Sequence, residues 1–145
     1  MKKFLILFLL LLITLSFTVG CQEKEIDNDY VNEKYGFTFR VPSNWENKYK
    51  VIEDDKRISF VYSQYKYEDG NFQEFFTIAI MSKDEYEKAL NEPPMTGELL
   101  AEKDEQVYVL YTPLDVGIMN SKKAEEYMKL NLSRDEKKER FYLNE

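Results

Sequence analysis

Histidine is absent from the 145 residues of this sequence, and its absence removes the usual partner from many catalytic and metal-binding sites. Zinc is commonly held by histidine and cysteine, and serine or cysteine nucleophiles are commonly activated by a histidine base. Most common hydrolase mechanisms are thereby excluded. The sequence predicts a protein that is not an enzyme and that has no cofactor and no metal site.

Cysteine is almost as scarce, because Cys21 is the only one in the chain. One cysteine cannot form an intramolecular disulfide, so the fold has to be held by its apolar core. Cys21 follows an apolar run from Phe4 to Phe17, which begins directly after Lys2 and Lys3. This run has the length of a signal-peptide core and is shorter than the roughly 20 residues of a membrane-spanning helix.

The segment Thr18-Val19-Gly20-Cys21 resembles the lipobox of bacterial lipoproteins, in which small residues precede a cysteine that is lipidated. Thr18 stands where that motif usually has leucine. The resemblance implies cleavage between Gly20 and Cys21 and a diacylglyceryl group on Cys21. Two acyl chains would anchor the protein stably to the extracytoplasmic face of the cell membrane. An ordinary cleavage site and an uncleaved apolar anchor are the alternatives.

With the cleavage and lipidation that this resemblance implies, the chain is expected to have three parts: a signal peptide at 1–20, the lipidated cysteine with a polar tether at 21–29, and one globular domain at 30–145. Without residues 1–20 the chain has 18 basic and 27 acidic residues, a formal charge of about −9. Such a surface repels nucleic acid and anionic lipid headgroups at long range. A basic partner, a cation or a neutral ligand is compatible with it.

Alternation of apolar and polar residues predicts strands joined as hairpins. The three predicted hairpins join 30–31 to 37–41, 49–52 to 58–62, and 99–101 to 107–111. The segment Phe75 to Met81 is apolar on both faces, which predicts a central strand in a sheet covered on both sides.

Two helices are predicted from capping residues and apolar spacing. Ser82 and Glu85 form a capping box for a helix that runs to about Leu90 and is stopped by the prolines at 93–94. A second helix begins at Ser121, and Leu132 is expected to extend its apolar stripe. The pattern leaves open whether 141–143 adds a strand.

The stretch from Tyr35 to Trp45, a strand followed by Pro-Ser-Asn-Trp, and the later strand 107–113 resemble uncharacterised Gram-positive lipoproteins with a PsbP-like domain. The resemblance implies an α+β fold: a mostly antiparallel twisted sheet built from hairpins, with helices packed on it as an α/β/α sandwich. It carries no agreed catalytic residues.

Four aromatic residues are the candidate interaction surface: Trp45, Tyr62, Tyr65 and Tyr67. An aromatic side chain offers an apolar face, and tyrosine adds a hydroxyl, which suits a peptide or a glycan. The alternative is that these rings are core residues. Calcium is not expected, because no segment fits the local Asp-x-Asp-x-Asp-Gly loop.

These features predict a membrane-anchored lipoprotein whose domain is a non-enzymatic protein- or peptide-interaction module at the cell envelope, with no nucleic acid partner. The alternative function is a small-ligand or cation-binding envelope lipoprotein, suggested by the acidic surface. An enzyme would have to rely on carboxylates, lysine, serine or tyrosine alone.

Overall fold

A computed structural model describes residues 28–92 and 97–145 of the chain. The predicted signal peptide, Cys21, nearly all of the predicted tether and the two prolines at 93–94 lie outside the described residues. Within the described ranges, no helix is both long enough and apolar enough to cross a bilayer.

Among the described residues, eight strands form two antiparallel sheets, one of three strands and one of five. The strands are β1 (Asn28–Asn32), β2 (Phe37–Val41), β3 (Tyr49–Asp54), β4 (Arg57–Lys66), β5 (Phe72–Ser82), β6 (Glu98–Lys103), β7 (Gln106–Tyr111) and β8 (Phe141–Leu143). The smaller sheet has the order β1-β2-β8 and the larger has the order β3-β4-β5-β7-β6. The α+β class, the three hairpins and the central position of β5 are therefore confirmed.

Three α-helices and one short turn of 3₁₀ helix complete the described fold. They are α1 (Lys83–Asn91), α2 (Ser121–Leu130), α3 (Arg134–Glu139) and the 3₁₀ turn Ser43–Trp45. The capping box of α1 is present, since Ser82 accepts from the Glu85 backbone and the Glu85 side chain accepts from the Ser82 backbone. The helices predicted from Ser82 and from Ser121 are both confirmed.

Two tight hairpin turns each contain an aspartate with a positive φ. Asp55 joins β3 to β4 at a φ of 43°, and Asp104 joins β6 to β7 at a φ of 55°. Aspartate tolerates this left-handed region better than most side chains, because its short polar group can bond to nearby backbone. The geometry of the turns therefore accounts for aspartate at these two positions.

The core lies between the two sheets and consists largely of aromatic rings. Phe39 of the smaller sheet lies 4.9 Å from Phe60 and 4.8 Å from Phe76 of the larger sheet, between ring centroids. Phe37 likewise contacts Tyr108 at 6.0 Å. One face of the five-stranded sheet is thus covered partly by a second sheet, a division of the strands that the sequence did not predict.

The C-terminal segment differs from the sequence expectation in two respects. Leu132 does not extend the stripe of α2, because α2 ends at Leu130; Leu132 lies in the segment that joins α2 to α3 and packs half-buried against the core. A further helix, α3, begins at Ser133, whose hydroxyl accepts from the Glu136 backbone. The question left open at 141–143 is answered by β8, which pairs with β2.

Candidate functional site

Trp45 and Tyr62, two of the predicted surface aromatics, have fully buried side chains. The Trp45 ring stacks on Phe75 at 4.2 Å, and its indole nitrogen donates to the Leu130 carbonyl at 2.7 Å. The Tyr62 hydroxyl donates to the Glu126 carboxylate. Neither ring is open to a partner, so the predicted surface has to be corrected at these two positions: both are core residues.

Tyr65 and Tyr67, the other two, are half-buried and meet edge to face at 5.3 Å. Both hold the loop between β7 and α2, residues 112–120. The Tyr65 hydroxyl accepts from the Met119 backbone at 3.4 Å. The Tyr67 hydroxyl donates to Gln73, whose side-chain oxygen also accepts from the Gly117 backbone at 3.0 Å. Burial raises the pKa of Tyr67, so its hydroxyl stays protonated and keeps donating.

A groove lies beside these tyrosines and continues onto the face of the larger sheet that points away from the smaller sheet. Along β4, Arg57, Ser59 and Val61 line the groove and alternate with core residues, as the period of a strand requires. We call it the outer groove. It consists of two adjoining hollows of about 450 Å³ and about 240 Å³, which share Asn71, Phe72 and Glu74.

Glu74 lies at the junction of the two hollows and is the centre of a polar cluster. Its carboxylate accepts from Ser59 at 3.3 Å and from Thr77 at 3.2 Å, and the two hydroxyl oxygens are 2.6 Å apart. Among residues 28–92 and 97–145, the half-buried Glu74 has no ion-pair partner. A ligand cation could bond to this carboxylate in a charge-assisted way.

Aromatic rings beside the outer groove already attract cations of the protein itself. Lys50 and Lys66 lie 5.1 Å and 5.7 Å from the centroid of the Phe72 ring. Arg57 lies 5.6 Å from the centroid of Tyr111. These are cation–π distances, so the faces of both rings are suited to positive groups.

Negative charge exceeds positive charge in the lining of the outer groove. Its carboxylates are Asp54, Glu74 and Asp115, and its basic residue is Arg57. Within the part of the chain that the structure describes, no three acidic residues come together as a metal site. The excess of negative charge in the lining favours a ligand that carries positive charge.

Sequence reasoning did not find the outer groove, although one signal was present. Glu74 is the only charged residue of β5, and burying a charged side chain is costly unless it is bonded. Its position beside Ser59 depends on a β-bulge between Phe60 and Val61, where the register of β4 against β5 shifts. A bulge of this kind cannot be derived from alternation alone.

Comparison with known proteins gives no relative: no family model, no curated protein and no solved structure matches the chain significantly. The resemblance to PsbP-like lipoproteins therefore stays a prediction. The ligand of the outer groove has to be inferred from its own side chains.

Proposed function

We propose that this protein is an extracytoplasmic lipoprotein, anchored through Cys21, whose domain is a non-enzymatic module that binds peptide segments carrying a basic side chain. The observation that carries the proposal is the Glu74 carboxylate. It is half-buried in the outer groove, bonded to two hydroxyls, and has no ion-pair partner among the described residues.

Charge supports a basic ligand over a neutral or acidic one. Three carboxylates against one guanidinium line the outer groove, and the chain from Cys21 onward has a formal charge of about −9. Opposite charge raises the association rate and excludes acidic competitors. Lys50 and Lys66 already lie at the Phe72 ring, so the carboxylates, and not this ring, favour a basic side chain.

The extent of the outer groove supports a peptide over a free amine. Its lining reaches from Ile52 on β3, across β4 and β5, to Gly117 in the 112–120 loop. Two strand spacings alone, from β3 to β5, cover roughly 10 Å. An extended peptide of about three residues has this length.

Titration calorimetry with short peptides tests the proposal. The tripeptides Ala-Lys-Ala and Ala-Arg-Ala are compared with Ala-Gln-Ala and Ala-Glu-Ala. We expect the basic peptides to bind. Glu74→Gln should lower their affinity at least about tenfold, because the substitution removes the charge and keeps the shape of the side chain. The matched control is Glu105→Gln in the exposed β6–β7 turn, which should leave affinity unchanged.

The outcomes separate the proposal from its alternative. Equal affinity for acidic and basic peptides, or for wild type and Glu74→Gln, would refute the assignment of Glu74. Free lysine binding as tightly as the tripeptide would favour a small-ligand protein instead, which the compact polar cluster around Glu74 also suits.

The anchor has a test of its own. Mass spectrometry of the N-terminal peptide from membrane-extracted protein should show Cys21 as the first residue, with a diacylglyceryl group on its sulfur. Cys21→Ala should release the protein from the membrane fraction. An unmodified Cys21 would disprove the anchor without affecting the peptide site.

A further inference from the structure

The 112–120 loop presents apolar side chains to solvent. Leu114 is 84% exposed, Met119 is 90% exposed, and Val116 between them is 38% exposed. We call these three residues the apolar tip. Single exposed apolar residues are ordinary on a protein surface, but several in one loop indicate a contact surface.

The apolar tip is held in place and cannot fold back into the core. Ile118, which lies between Val116 and Met119, is buried and fixes the loop from within. The backbone at Gly117 and at Met119 is bonded to Gln73 and to Tyr65. Asn120 then caps α2 by accepting from the Lys123 backbone at 3.1 Å.

The described chain enters the domain at the same end as the apolar tip. β1 begins at Asn28, opposite Val41, and Val41 leads directly into the 3₁₀ turn that contains Trp45. Trp45 stacks on Phe75, two residues from the Gln73 that holds the loop. The opposite end of the domain has the turns at Asp55 and Asp104.

The connection to Cys21 is short. Six residues, 22–27, lie between Cys21 and Asn28, and the seven steps from one Cα atom to the next span at most about 25 Å. A lipid on Cys21 would therefore keep this end of the domain, and not the end with Asp104, close to the bilayer.

We propose that the apolar tip inserts into the outer leaflet of the membrane to which Cys21 is anchored, and so fixes the orientation of the domain. This inference rests on the proposed anchor. Burial of the tip in the acyl boundary has to offset the repulsion between anionic headgroups and the acidic domain, including the exposed Asp115 between Leu114 and Val116. The contact thus requires the anchor, and the unanchored domain stays in solution.

Site-specific fluorescent labelling tests the insertion. Lipidation consumes the thiol of Cys21, so Met119→Cys or Leu114→Cys introduces the only free thiol of the full chain. Each variant is extracted from membranes, labelled with an environment-sensitive dye and reconstituted into vesicles of phosphatidylethanolamine and phosphatidylglycerol. The matched control is Asp104→Cys, at the opposite end of the domain.

We expect dye emission at 114 and 119 to rise, to shift to shorter wavelength and to be quenched by lipids that carry a spin label on their acyl chains. The emission of the dye attached at position 104 should remain the same as that of a dye in water. The same labels on Cys21→Ala protein mixed with vesicles should show no shift.

The possible failures are distinguishable. If Cys21 carries its lipid but the dye at 119 behaves like the dye at 104, the insertion is wrong and the anchor stands. If Cys21 is unmodified, the anchor and the insertion both fall. The introduced thiol at 119 can also be labelled in intact cells. If it is protected from the label there, but the dye at 119 on vesicles behaves like a dye in water, the tip contacts a protein and the insertion is overturned.

Discussion

Lys137 is a lysine buried in the core, with only 3% of the residue exposed. Its ammonium donates to the Asn131 side-chain oxygen at 3.1 Å and lies 5.7 Å from the centroid of the Phe76 ring. Burial lowers its pKa to about 8, with a smaller contribution from Arg134 in the same direction and one from Glu136 in the opposite direction. The folded state therefore binds the proton less tightly than the unfolded chain.

We predict that Lys137 makes the free energy of unfolding rise with pH between about 8 and 10.5. In that range the unfolded chain holds a proton that the folded chain has released; below 8 both hold it, and the cost of burying the charge is fully present. Lys137→Met should remove this slope and stabilise the protein at neutral pH by about 1–3 kcal/mol. Urea unfolding between about pH 7.5 and 9.5 measures both effects.

Lys138→Met is the matched control, because Lys138 is the next residue and its side chain is 40% exposed beside Glu98. It should leave the pH slope unchanged. A slope that is the same in wild type and Lys137→Met would contradict the prediction.

Single residues were the least predictable part of this chain. Four aromatic residues looked alike in sequence, yet Trp45 and Tyr62 are core residues whereas Tyr65 and Tyr67 hold a loop. The difference depends on which rings the smaller sheet and α2 cover, and this packing is not encoded in local alternation. Glu74 was missed because its neighbours are set by a bulge.

At the scale of elements, two helices begin with the same capping motif but differ in whether they bury a side chain. α1 and α3 both start with a serine and glutamate capping box, at Ser82 and Ser133. No residue of α1 is buried, whereas α3 buries Lys137 and leads directly into β8. The stability of the whole domain should therefore depend on α3 more than on α1.

We predict that Ser133→Ala lowers the free energy of unfolding by about 1 kcal/mol, the usual value of a lost N-cap. Ser82→Ala removes the same hydrogen bond from α1, and there we expect faster amide exchange within the helix but a smaller change in global stability. Thermal melts and hydrogen exchange of both variants provide the measurement. Equal losses of global stability would show that α1 is as important to the fold as α3.

Element prediction succeeded where the signal was periodic and failed where the element was short. The hairpins and the helices from Ser82 and Ser121 follow from alternation and capping, and the structure has them all. α3 has six residues, all of them charged, so it has no apolar stripe from which the sequence could predict it. β8 has three residues, and only its pairing with β2 makes it a strand.

At the scale of the whole molecule, the acidic surface is partly organised by bonded carboxylates. Glu126 accepts from the Tyr62 hydroxyl and pairs with Lys48 at 3.1 Å and with Lys123 at 3.4 Å. These contacts, with the bond from Tyr62 the largest, hold the pKa of Glu126 below its usual value of 4.5. The network ties α2 to the edge of the larger sheet.

We predict that the stabilisation from Glu126 is fully present above about pH 4.5 and is lost as the pH falls through its lower folded-state pKa. In that range the unfolded chain takes up the proton first, which favours unfolding. The difference in unfolding free energy between wild type and Glu126→Gln should therefore be largest at neutral pH and should shrink in acid. Denaturant melts at a series of pH values measure it.

Glu105→Gln in the exposed β6–β7 turn serves as the reference for a change of one charge. It corrects for the self-repulsion of an acidic chain, which acidification relieves in every variant. The prediction is ruled out if the difference in unfolding free energy between wild type and Glu126→Gln stays constant from neutral to acid pH.

The position of β2 between β1 and β8 has a consequence for how the protein is made. β2 is among the first described strands to leave the ribosome, and β8 is the last. The smaller sheet cannot be completed until β8 is available to pair with β2, and the face of the Phe37 ring that stacks on Phe141 stays uncovered until then. Until β8 folds, the Phe37 ring is thus open to chaperones, translocation machinery or other chains.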